Sequence, residues 1–117
     1  MDIETFREYC LSFRGVTESF PFGEDALVFK VKDKMFALTH IDDFKSFNVK
    51  CDPTVALELR ETYESVLPGY HMNKKHWNTV VVDGKIPDDK LKEWVMHSYD
   101  LVVAKLPSVQ RLELNNL

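Results

Sequence analysis

Ile3, Phe6, Cys10 and Phe13 recur at spacings of three and four residues, which places them on one face of a helix. The pattern predicts a first helix over Asp2 to Arg14. Asp2 is its cap, because a carboxylate there accepts from unpaired first-turn amides. Gly15 ends it, being free to take the left-handed conformation. Val16 to Asp25 reads as a connecting segment, since Pro21 and Gly23 oppose regular structure. Its Phe20-Pro21-Phe22-Gly23 stretch is expected to pin the loop to the core through the two aromatics.

Three strand-like runs follow: Leu27 to Val31, Met35 to His40, and Lys45 to Cys51. In the third, Phe47, Val49 and Cys51 alternate with Ser46, Asn48 and Lys50, giving one apolar and one polar face. Short polar turns between the runs predict an antiparallel meander with one wet face. Asp52-Pro53 opens a second helix, Thr54 to Ser65, with acid at the cap and proline at the first position. Val55, Leu59 and Tyr63 form its apolar stripe, and Pro68-Gly69 closes the segment.

The stretch Tyr70 to Thr79 is polar and basic and runs into a β-branched strand, Val80-Val81-Val82, closed by Asp83-Gly84. A last helix begins at Pro87-Asp88-Asp89, with acids at its positive end, and reaches about Lys105. Leu91, Val95, Ser98 and Val102 line one side of it. Leu106-Pro107 stops it, and residues 108–117 read as a weakly structured tail. The order predicts a single two-layer α+β domain over 1–117, with helices on one face of a mainly antiparallel sheet.

Composition sharpens this picture. With 44% hydrophobic and 12% aromatic residues, the 117-residue chain has the apolar surface to build one core. No run approaches the roughly 20 apolar residues that span a bilayer, and the acidic start Met1-Asp2-Ile3-Glu4 does not resemble a secretory signal. A cytoplasmic protein off the membrane is expected. Cys10 and Cys51, without a CxxC pattern, read as small buried hydrophobes.

The net charge of −4 counts against a uniformly basic nucleic-acid binder. Its distribution changes that. Residues 1–25 carry −4, 26–51 carry +2, 52–66 carry −3, 67–86 carry +2 and 87–117 carry −1. Helical regions are acidic, and strands with their loops are basic. A local basic patch is what attracts phosphate.

Two clusters follow from this charge map. One is Tyr70-His71-Met72-Asn73-Lys74-Lys75-His76-Trp77-Asn78, which contains no acid. Lysine and protonated histidine contact phosphates, asparagine bonds a phosphate or base edge, and aromatic rings stack on bases. The other is the hairpin tip Lys30, Lys32 and Lys34, with Lys45 and Lys50 nearby. A solvated turn with ordinary lysines explains both clusters as well, and edge lysines also discourage sheet aggregation. Tyr70 and Trp77 are expected to pack, whereas Lys74 and Lys75 are the better ligand contacts, because lysine is rarely buried unpaired.

Other chemistry is sparse. His40, His71, His76 and His97 lack the spacing and partners of a metal site. Cys51 falls on an apolar strand face and reads as inert. Ser98 lies within a helix rather than at a nucleophile elbow, where its hydroxyl bonds the helix backbone or fills a tight helix–sheet contact. There is no glycine-rich phosphate loop. The expectation is a monomeric non-enzyme without metal or cofactor.

The motifs Phe20-Pro21-Phe22-Gly23, Lys34-Met35-Phe36-Ala37, Val49-Lys50-Cys51-Asp52-Pro53, Tyr70 through Val80, and Ser98-Tyr99-Asp100-Leu101-Val102 resemble those of the MmcQ/YjbR family of small bacterial proteins. The resemblance covers nearly the whole chain. It implies a compact α+β domain related to secretion-chaperone-like folds, and a DNA-binding role in which two β-hairpins act as wings. Here one wing would turn at Lys32-Asp33-Lys34, and Lys74-Lys75-His76-Trp77 would lie near the other.

Three functional readings follow. The first is DNA binding through Lys32, Lys34, Lys45, Lys50, Asn73, Lys74, Lys75 and His76. The second is a protein- or peptide-binding adaptor using the sheet face or edge. The third is a small-ligand site around His71, Asn73, His76 and Trp77 beneath the Phe-Pro-Phe-Gly loop.

Overall fold

The computed structural model describes residues 1–117. Helix α1 (Ile3–Leu11) is capped by Asp2, whose carboxylate accepts from Thr5 N at 2.8 Å. It buries Phe6 and Cys10. Strands β1 (Val16–Ser19), β2 (Ala26–Val31), β3 (Lys34–His40) and β4 (Ser46–Lys50) then form an antiparallel meander. Helix α2 (Pro53–Thr62), strands β5 (Val66–Pro68) and β6 (Trp77–Val81), helix α3 (Asp88–Ala104) and helix α4 (Ser108–Asn115) complete the chain.

The six strands lie in the order β1-β2-β3-β4-β6-β5, every pair antiparallel. Lys32 and Asp33 join β2 to β3, both with positive φ, the requirement of a two-residue turn matched to strand twist. Phe6 of α1 and Val95 of α3 are fully buried against Phe29, Phe47 and Val49, and all four helices lie on this face. The α+β two-layer architecture matches the sequence pattern.

Three segments differ from expectation. Val16–Ser19 is not a connector but an edge strand. Four residues are too few to show a period, and pairing with β2 plus a two-bond Arg7–Glu18 contact (2.7 and 2.5 Å) holds it. The second helix stops at Thr62, because Tyr63 turns extended to pack edge-on against Trp94 and Val66 pairs with Val80. Residues 108–115 of the supposed tail form α4. Its Leu114 is buried, Arg14 donates to the Asn115 carbonyl at 3.0 Å, and Lys32 pairs with Glu113 at 2.7 Å.

Gly15 explains how α4 gets so close. It has φ +74°, and a Cβ there would overlap the Leu114 side chain. The sheet's far face also differs from the wet surface predicted. Ala26, Val28, Leu38, Asn48 and Thr79 are buried there without a covering helix. Thr79 donates its hydroxyl to Asn48 Oδ1 at 2.5 Å and accepts from Tyr70 N at 2.9 Å, which folds the Tyr70 loop back over that face. Cys10 and Cys51 are free and buried, as expected. Burial raises the Cys51 thiol to about 11 and keeps it protonated. No helix is long and apolar enough to cross a membrane.

Candidate functional site: a lysine-lined cleft

The loop between β5 and β6 is built on close backbone approach and one arginine. Gly69 lies against Trp77: a Cβ at Gly69 would stand 2.7 Å from Trp77 Cβ. Asn73 Oδ1 accepts from Lys75 N at 2.9 Å, and Trp77 N donates to Asn73 O at 3.0 Å, closing the turn. Arg60 of α2 reaches across, donating to the Lys74 carbonyl, to the Trp77 carbonyl at 3.1 Å and to Asn78 Oδ1 at 2.7 Å. Cys51 N donates to His76 O at 2.8 Å, joining the loop to the end of β4. Arg60 escapes sequence reading, although it is the one base of an acidic helix segment.

This framework leaves an open cleft of about 460 Å³ at one end of the sheet. Lys34 enters from the start of β3, Lys50 from the end of β4, and Lys105 from the C-cap of α3. Asn73 and His76 complete the polar wall, with Trp77, Leu106 and Pro107 among the apolar lining. No acidic residue lines the cleft, and none of the three lysines belongs to an ion pair. Burial pushes the Lys50 ammonium below its ordinary pKa, and the charges of Lys105 and Lys34 add to this. Its ammonium lies 5.6 Å from the Trp77 ring centre. The arrangement is an electrostatic cradle for an anion.

The predicted residues are thus divided. Lys34, Lys50, Asn73 and His76 converge on the cleft, joined by Lys105 at the end of α3, which no sequence motif marks. Lys32, at the hairpin tip, is held by Glu113 and is not a free cation. Lys45 precedes β4, at the opposite end from Lys50, and stands 3.6 Å from Asp43. Lys74 turns its ammonium back onto Gly69 O at 3.1 Å. Lys75 lies beside Thr54 and Leu57 of α2, outside the cleft.

Trp77 is buried, as expected for packing, but Tyr70 is 67% exposed and does not pack as predicted. Phe20 and Phe22 are also exposed rather than pinned to the core, in the irregular segment between β1 and β2 that contains Pro21 and Gly23. Phe22, Tyr70 and His71 instead wall a groove of about 310 Å³ over Leu38 and Asn48 on the far face. The expected grouping of His71 with Asn73, His76 and Trp77 is therefore split between two surfaces. Tyr99 is structural: it stacks on Phe13 at 4.8 Å and donates to Arg14 O at 2.6 Å.

Fold and cleft define a class, the small two-layer α+β domain with a basic, acid-free cleft at one end of its sheet. The chain belongs to the YjbR family, whose sequence model matches residues 11–101. The Escherichia coli K12 protein YjbR, described as uncharacterised, is 33% identical over 112 residues, 95% of each chain. YbdF of Escherichia coli O157:H7, also described as uncharacterised, is 37% identical over 101 residues, covering 86% of this chain and 83% of its own. The crystal structure of Deinococcus radiodurans protein DR2400 superposes with a TM-score of 0.93 at 40% identity, over 97% of this chain and 88% of its own. A Pseudomonas syringae crystal structure gives a TM-score of 0.74 at 26% identity, over 86% and 98% respectively.

Proposed function

We propose that this domain is a non-enzymatic, cytoplasmic DNA-binding module that takes backbone phosphate into the Lys34–Lys50–Lys105 cleft. The observation that carries the reading is the convergence of three unpaired lysines with Asn73 and His76 in an acid-free cleft, on a chain whose net charge is −4. Contact through Lys34, the first strand residue after the hairpin turn, replaces contact through Lys32 in the turn itself, since Lys32 is neutralised by Glu113. The buried Trp77 ring offers no face for base stacking, so recognition is by phosphate and independent of sequence.

Anisotropy titrations with labelled single-stranded and duplex oligonucleotides across a salt series test this. Three neutralised phosphates give a slope of log K against log salt of about −2 to −3. Replacing Lys34, Lys50 and Lys105 together with glutamine is expected to abolish binding in a chain that remains folded. Absence of binding at low salt, or undiminished binding by that variant, overturns the proposal.

A second reading, the peptide-binding adaptor, is favoured by a separate observation: the exposed Phe22 and Tyr70 rings flanking the far-face groove. A neutral apolar dye such as Nile red is expected to brighten on the wild type and not on a variant with both aromatics replaced by alanine. No dye response of the wild type removes this reading.

A further inference from the structure

On the helix face, a second cavity of about 400 Å³ opens between α2 and α3. Val55 and Leu59 of α2, Tyr63 just past its end and Trp94 of α3 form its walls, above Val49 and Val80 of the sheet. Asn78 also lines it and is 1% exposed. The Asn78 Nδ2 group is the one buried side-chain nitrogen or oxygen atom with no hydrogen-bond partner.

The orientation of this amide is fixed by chemistry. Its Oδ1 accepts from Arg60 Nε at 2.7 Å, and a guanidinium is donor only, so the reversed amide would set donor against donor. The Nδ2 hydrogens are therefore the side left to bond something else. An unmet buried donor costs free energy, and here it accompanies an apolar cavity in the size range of small-ligand sites. The rim does not select for charge: Lys90 and Glu93 pair at 3.3 Å, and Lys50 and Asp100 contribute opposite signs.

We infer that the cavity between α2 and α3 is a ligand site for a small, neutral, apolar molecule bearing one carbonyl, which accepts a hydrogen bond from the Asn78 side-chain amide. The apolar walls bury the body of the ligand, and the carbonyl satisfies the donor. This site is distinct in chemistry from the lysine cleft, although Lys50 and Cys51 line both.

The test is an NMR titration of the full chain with acetophenone and with ethylbenzene, a probe of similar shape lacking the acceptor. Acetophenone is expected to shift the Asn78 side-chain NH₂ and Trp94 indole resonances and to bind roughly three- to tenfold more tightly, the increment of one neutral hydrogen bond. N78D keeps the size and the Arg60 contact but removes the donor, and is expected to erase the preference. Equal affinity for the two probes, no shift at Trp94 with either, or a preference that survives N78D overturns the inference. The wild-type comparison decides the matter even if N78D does not fold.

Discussion

Ser98 Oγ of α3 accepts a hydrogen bond from Lys50 N at the end of β4, at 2.8 Å. The same hydroxyl donates to Phe36 O at 2.6 Å. Ala37 pairs with Val49 in the β3–β4 ladder, so Phe36 and Lys50 would form the next rung. Ser98 occupies that rung. A fully buried serine thus substitutes for strand pairing where β3 and β4 separate, and Lys34 and Lys50 flank the cleft beyond it.

Ser98→Ala leaves a buried carbonyl and a backbone N–H without partners. We expect a loss of about 1–3 kcal/mol in urea unfolding, together with weaker oligonucleotide binding because Lys50 loses its backbone anchor. Unchanged stability and affinity would show that the bridge is dispensable.

Lys50 is held charged at a cost, since burial and the neighbouring Lys105 and Lys34 lower its pKa in the folded state. Lys50→Met is expected to raise the melting temperature in the absence of anions while weakening binding. The pH dependence has a defined sign. The unfolded chain binds more protons between the lowered folded value and the ordinary lysine value of about 10.4, so this contribution to stability rises with pH across that window. The wild-type melting temperature should therefore approach that of the variant as pH increases through it, and added polyphosphate should stabilise the wild type more than the variant, which keeps Lys34 and Lys105.

Glu113 of α4 competes with phosphate for Lys32. Glu113→Gln is expected to strengthen DNA binding about twofold and to steepen the salt slope by up to about 0.9, the increment of one further phosphate contact. Identical salt slopes would place Lys32 outside the interface.

Arg60 holds three acceptors with its guanidinium. Arg60→Lys cannot reproduce that fork. We expect the local opening free energy of this loop to fall by about 2–3 kcal/mol, seen as faster hydrogen exchange confined to residues 69–78. Uniformly faster exchange would instead indicate global destabilisation.

Much of the fold was legible in short-range pattern. Phe6 and Cys10 recur on the buried face of α1, Phe47 and Val49 alternate on β4, and Asp52 caps α2 with bonds to Thr54 N and Val55 N at 3.1 and 3.2 Å. These features need only the period of the element and the chemistry of its ends. Strand β5 and helix α4 were not legible. Three residues are too few to show a period in β5, and the apolar Val109 and Leu112 of α4 are exposed and do not mark its buried face. Both elements are held by distant partners: Val80 for Val66, and Gly15 and Lys32 for α4.

The candidate site divides in the same way. The sequence by itself determined which residue types are available: a long acid-free motif from Tyr70 to Asn78, and basic strands beside acidic helices. It did not determine which cations stay free, because pairing depends on residues far away in the chain. Lys32 is neutralised from 81 positions away, whereas Lys34, Lys50 and Lys105 meet without a carboxylate among them. The tertiary structure alone made that selection, because Coulomb interactions act through space and are felt only once packing has set the distances.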